Sequence, residues 1–159
     1  MNAPLEARPI ERHHVGPLEA LLRRIPNFTA DEVATALEVF GRAAETGNRE
    51  YVGIVAEAAD GPAGAIAYGE TPMTVGTYDL YWIAADPPRQ RSGVGTFLLG
   101  AMEADLRRRG ARLVRVETSG TAHYQGTRAF YERFGYRETA RIPEFYRPGD
   151  DLVMFTKRV

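Results

Sequence analysis

The chain has 159 residues, 44% of them hydrophobic, and a formal net charge of −1. That length predicts one domain over residues 1–159 with apolar content enough for a buried core, and the near-neutral charge argues against a nucleic-acid binder as the default. With no cysteine the chain forms no disulfide, no thiolate metal site and no thiol nucleophile, which fits a reducing compartment; the cytoplasm is the expected location. The amino-terminal MNAPLEARPIERHH is charged and lacks the apolar centre of a signal peptide. No apolar run approaches the roughly 20 residues that span a bilayer.

In chain order, Pro4 to Arg12 reads as a first strand. His13-His14 reads as a solvated turn, because no third ligand stands at metal-binding spacing; no metal is expected. Leu18, Leu21, Leu22 and Ile25 mark one face of a helix from Val15, ended by Pro26. Thr29 or Asp31 can cap a second helix with Val33, Leu37 and Phe40 inward, stopped at Gly47-Asn48. Arg49–Ala59 and Ala63–Glu70 read as strands of a hairpin turned by Asp60-Gly61, since both positions tolerate positive φ.

Tyr78–Ala85 is a strand rich in aromatic residues. Side-chain alternation puts Leu80 and Trp82 on one face and Asp79, Tyr81 and Ile83 on the other. Asp79 stands out as a carboxylate in an apolar strand; it is either an exposed edge residue or a general base. Asp86-Pro87-Pro88 ends the strand, and from Val94 the apolar residues take helical spacing as far as Arg109, with Gly110 as the stop. Between them lies Gln90-Arg91-Ser92-Gly93-Val94-Gly95. A helix start carries free amides and partial positive charge, glycine permits close approach of a phosphate, and Arg89 and Arg91 add full charges, so this loop suits a pyrophosphate. It also reads as an ordinary strand-to-helix turn. A dinucleotide-binding turn fits poorly, because its third glycine would fall at Leu98. Arg112–Thr118 is a further strand, Thr127–Phe134 a helix with Phe130 and Phe134 inward, and Gly135 its C′ residue. Arg137–Ile142 and Leu152–Thr156 form a last hairpin, joined by a loop from Pro143 to Asp150 that carries Phe145 and Tyr146.

Q-x-x-G-x-G after a strand and an Asp-Pro loop, followed downstream by Phe130-Tyr131-Glu132-Arg133-Phe134-Gly135-Tyr136, resembles the GNAT superfamily of acyl-CoA-dependent N-acyltransferases. The resemblance covers roughly Arg49 to Val159. It implies an α/β (α+β) fold of the GNAT type: a mixed, mostly antiparallel sheet of about seven strands with a splayed parallel pair, flanked by about four helices. It implies transfer of an acetyl group from acetyl-CoA to a primary amine by direct attack in a ternary complex, and a small-molecule amine, amino acid or peptide as acceptor. No nucleic-acid or membrane partner is implied; a homodimer is compatible.

By the same resemblance, Gln90, Arg91, Ser92, Gly93, Val94, Gly95 and Thr96 hold the coenzyme's pyrophosphate. Backbone at Ile83, Ala84 and Ala85 meets the thioester in the gap between the splayed strands, and Tyr124, Thr127, Phe130 and Tyr131 line the pantetheine side. Tyr124 or Gln125 stands where many members carry asparagine. Asp79 lies where several members carry a catalytic glutamate, Glu117 is the second base candidate and His123 a third, and Tyr131 is the general acid toward the departing thiolate or else a core tyrosine. Arg107, Arg108, Arg109, Arg112 and Arg115 read mainly as a solvated basic face, with contact to the coenzyme 3′-phosphate as the lesser alternative. A non-catalytic acyl-CoA sensor of the same fold, or an interaction module without coenzyme, would carry similar motifs.

Overall fold

Helices bind each face of one seven-stranded sheet, and the order of elements follows from local punctuation in the chain. The computed structural model describes residues 4–159, so Met1–Ala3 of the amino-terminal stretch lie outside the described residues. Strand β1 is short, Glu6–Pro9. Helix α1 begins at Arg12 and runs to Leu22, earlier than the apolar stripe predicts. The reason is a cap: His14 Nδ1 accepts the Glu11 amide N–H at 2.9 Å, satisfying a donor that a helix start would otherwise leave free. His14 is therefore buried inside the first turn, which corrects its placement in a solvated turn.

Helix α2, Ala30–Ala43, is capped by Thr29, whose hydroxyl accepts the Glu32 amide while Glu32 accepts the Thr29 amide at 2.7 Å. Strands β2 (Val52–Ala58) and β3 (Gly61–Glu70) meet at Gly61, where φ is +117°. Strand β4 is Thr77–Ala85, and a single 3-10 turn, Pro87–Arg89, leads from it toward helix α3, Val94–Arg108. Strand β5 is Leu113–Ser119 and helix α4 is Gln125–Arg133. Strands β6 (Arg137–Arg147) and β7 (Asp150–Arg158) close the chain. The predicted loop from Pro143 is thus strand as far as Arg147. A register shift between Ile142 and Arg147 absorbs Pro143, as an edge strand allows.

The sheet order is β1-β2-β3-β4-β5-β7-β6, with β4 and β5 its parallel neighbours. Two irregularities in β4 position the site. Tyr68 pairs with Leu80 and Ala67 with Trp82, so Tyr81 is an extra residue, a β-bulge. The bulge reverses the alternation: Leu80 joins the core under α3, whereas Trp82 packs beneath α1 and α2, edge-on to Phe28 with centroids 5.6 Å apart. Leu80 and Trp82 do not share a face, contrary to simple alternation. Second, β4 pairs with β5 only from Thr77↔Leu113 to Leu80↔Val116. Beyond that point the strands diverge, and the edge of Tyr81–Ala85 toward β5 is unpaired.

One core lies between the sheet and α1–α2 (Leu18, Leu22, Phe40, Val55), and the other between the sheet and α3–α4 (Ile66, Leu98, Met102, Val114, Phe155). Each fully buried leucine contributes about 2 kcal/mol relative to exposure. Among the described residues no helix is long and apolar enough to cross a membrane.

Candidate active site

The loop before α3 ends in open amides. Gly93, at φ +88°, is the N-cap of α3 and brings no side-chain cap. Phe97 N–H is the first to be satisfied, by Gly93 O at 2.8 Å, so the amides of Val94, Gly95 and Thr96 point outward without an acceptor among the described residues. A Cβ at Gly93 would meet nothing within 4 Å; the space is open, and the positive φ is what demands glycine. Arg91 is exposed and itself at φ +69°, and no ion-pair partner for it occurs among the described residues. Arg89 contributes less than expected: it is ion-paired with Asp60 on the β2–β3 turn. Three free amides, a helix dipole and one free guanidinium fit a pyrophosphate group. Gln90 and Ser92 are exposed beside them. The Phe130 ring stands 3.4 Å from where a Gly95 Cβ would be, so α4 closes the same side as the loop.

At the splay the two candidate bases differ sharply. Asp79 is buried, not an edge residue. Its Oδ1 accepts from Arg115 Nε at 2.5 Å and its Oδ2 from the Thr71 hydroxyl at 2.8 Å. Arg115 therefore belongs to an ion pair and not to a solvated basic face. Arg107, Arg108 and Arg109 are exposed, as expected of a solvated face, and pair along α3 with Glu103 and Asp105. Glu117, on the same face of β5 as Arg115, is 40% exposed at its side chain and stands 3.8 Å from the nearest Arg115 nitrogen. Ser119, next on that face, donates to the buried Asp150 carboxylate at 2.6 Å.

Three tyrosines, Tyr81, Tyr146 and Tyr124, are partly buried on the elements around the splay. Tyr81, on the bulge, stacks edge-on against Tyr51 at 5.2 Å. Tyr146, on the β6 end of the last hairpin, has its phenol pushed up by burial and then by the charges of Glu117 and Asp150. Tyr124 donates to Glu32 of α2 at 3.0 Å, and burial together with that carboxylate pushes it up to about 12. Asp86, at the end of β4, accepts from Arg24 at 2.8 Å and ties the α1 end to the splay. Glu144, in contrast, spends its carboxylate on the Gly149 amide within the hairpin tip.

Tyr131 faces the α3 core. It is 2% exposed, packed by Phe130, Tyr136 and Phe155, and burial raises its phenol pKa. Its hydroxyl forms no hydrogen bond among the described residues. Thr127, one turn earlier, is half-buried. Arg128, which falls in no sequence motif, directs Nη1 to the carbonyls of Ser119 and Thr121, both at 2.8 Å. A hollow of about 390 Å³ lined by Pro9, Asn48, Arg49, Tyr51 and Arg109 includes, of the residues considered for the coenzyme, Arg109 alone.

The acetyltransferase (GNAT) domain model matches residues 49–138, more than half of the chain. The chain belongs to the GNAT acetyltransferase family. A crystal structure assigned to that family, from Desulfovibrio desulfuricans, is 37% identical, with a TM-score of 0.93 over 98% of this chain and 99% of the other. The ribosomal-protein-S18-alanine N-acetyltransferase of Escherichia coli superposes with a TM-score of 0.78 at 19% identity, covering 98% and 94% of the two chains. An aminoglycoside 6′-N-acetyltransferase complexed with coenzyme A gives 0.74 at 18% identity, with 96% of each chain covered. No curated protein sequence matches. For this GNAT acetyltransferase the seven-stranded sheet with a parallel β4–β5 pair and four helices is the family architecture.

Proposed function

We propose that the protein transfers an acetyl group from acetyl-CoA to a primary amine by direct attack within a ternary complex. The observation that carries this reading is the gap between β4 and β5, with open amides of α3 toward one end and the half-exposed Glu117 carboxylate toward the other. Bound acetyl-CoA would supply an acetyl group already activated as a thioester. The amides of Val94, Gly95 and Thr96 with Arg91 hold the pyrophosphate, flanked by Gln90, Ser92 and Gly93. The unpaired edge at Ile83, Ala84 and Ala85 aligns the pantetheine arm and directs backbone N–H groups at the acyl oxygen, while Tyr124, Thr127 and Phe130 enclose the arm.

An alkylamine of ordinary pKa is only about 0.04% neutral at pH 7, so a carboxylate that removes its proton speeds attack. Glu117 serves better than Asp79. Both Asp79 oxygens already accept hydrogen bonds, one of them from a guanidinium, whereas among the described residues the Glu117 carboxylate accepts none and has its cation at 3.8 Å. Tyr131 carries a protonated phenol with no hydrogen-bond partner among the described residues and donates its proton to the leaving sulfur.

The test is thiol release from acetyl-CoA over a panel of amines, amino acids and short peptides; the chain has no cysteine to contribute background. Release dependent on one amine class supports the reading. No release, with no thermal stabilisation by acetyl-CoA, overturns it.

A further inference from the structure

We propose that Arg128 is a positioning residue that fixes Tyr131 by fastening α4 to the open edge of β5. This rests on the role given to Tyr131 above. The carbonyl and amide of one peptide unit in a strand point in opposite directions. Gly120 N–H donates to Asp151 O, on the β7 side, at 2.8 Å, so the Ser119 carbonyl points to the other side, toward the gap that β4 leaves. Arg128 reaches that carbonyl and the Thr121 carbonyl with one nitrogen. It thereby satisfies the Ser119 carbonyl, which the splay deprives of a strand partner, and joins the Tyr124 amide on the Thr121 carbonyl.

Among the described residues these are the only side-chain hydrogen bonds made from within Gln125–Arg133. Helix α4 is nine residues long and its N-cap brings no side-chain cap, so little else polar holds it. Arg128 and Tyr131 are three residues apart and lie on neighbouring positions of one helix face. The Tyr131 hydroxyl has no hydrogen-bond partner among the described residues, so its place is set by the helix backbone and by ring packing. A slide or rotation of α4 passes directly to that hydroxyl, and a misplacement near 1 Å costs on the order of 100-fold in rate.

The deciding experiment needs no acceptor. Affinity for free CoA is measured by titration calorimetry from pH 6.5 to 9.5 against desulfo-CoA, which cancels every titration except that of the sulfur. A phenol donating to sulfur lowers the thiol pKa in the complex, and each unit of lowering raises the affinity ratio up to about tenfold above pH 8.5. We expect this rise in the wild type, its loss in both Arg128→Ala and Tyr131→Phe, no further change in the double variant, and its recovery in Arg128→Lys. An Arg128→Ala protein that keeps the rise overturns the proposal. A further fall when Arg128→Ala is added to Tyr131→Phe also overturns it, because the arginine would then act on sulfur by its own charge. If Tyr131→Phe alone keeps the rise, the acid role assigned to Tyr131 fails first. Melting curves identify unfolded variants, and Arg128→Gln takes the place of alanine if that variant does not fold.

Discussion

The β4–β5 pair is one structure with two halves. From Thr77 to Leu80 it is closed: backbone pairs with backbone, and Asp79, Arg115 and Thr71 satisfy one another across the strands. From Tyr81 onward it is open: the backbone edge is unpaired, and Glu117 is half-exposed with its nearest cation 3.8 Å away. Similar side chains occur in both halves. What separates them is whether the protein uses up their hydrogen-bonding capacity, and chemistry on a substrate requires capacity left over.

Substitutions in the open half should therefore cost turnover, and those in the closed half stability. Tyr131→Phe is expected to lower kcat about 100- to 1,000-fold, the range of a lost general acid, with CoA affinity at pH 7 unchanged in calorimetry. Glu117→Gln should lower kcat/KM about 100-fold, while Asp79→Asn leaves the chemical step within a few fold; the reverse result would return the base role to Asp79. Gly93→Asp places a carboxylate at the amide cradle and should weaken CoA binding roughly 10- to 100-fold, while the strained φ of +88° costs about 1 kcal/mol and lowers Tm by about 3 °C; Gly93→Ala, with the same strain and no charge, should keep most of the affinity. In the closed half, Asp79→Asn leaves a half-buried guanidinium without its carboxylate, which should cost about 2 kcal/mol and about 5 °C in Tm.

The smallest effect lies away from both halves. Burial, and then the neighbouring His13, lower the His14 pKa. The unfolded chain thus binds this proton more readily, and stability falls as pH drops below about 6.5 toward the lower folded pKa, with a slope of at most about 1.4 kcal/mol per unit. His14→Asn, which keeps an acceptor for the Glu11 amide, should flatten that part of the stability–pH curve in denaturant titrations.

Strands, helices and the glycine-rich turn into α3 were legible because their signals are local. Thr29 with Glu32, Gly61, the Pro87-Pro88 break and Gly93 each act within a few residues of themselves. The start of α1 was misplaced because histidine is an unusual partner for a helix cap, and the last loop because an edge strand accommodates Pro143.

The chain alone therefore determined the order of elements, the glycine-rich turn into α3 and the tyrosine of α4, since backbone sterics and apolar periodicity operate at short range. Only the tertiary structure decided that Tyr81 is a bulge that separates Leu80 from Trp82, that Arg115 neutralises Asp79 and leaves Glu117 available, and that Arg128 fastens α4 to β5. Those outcomes depend on strand register and on which strands part company, and register is settled by packing across the whole sheet.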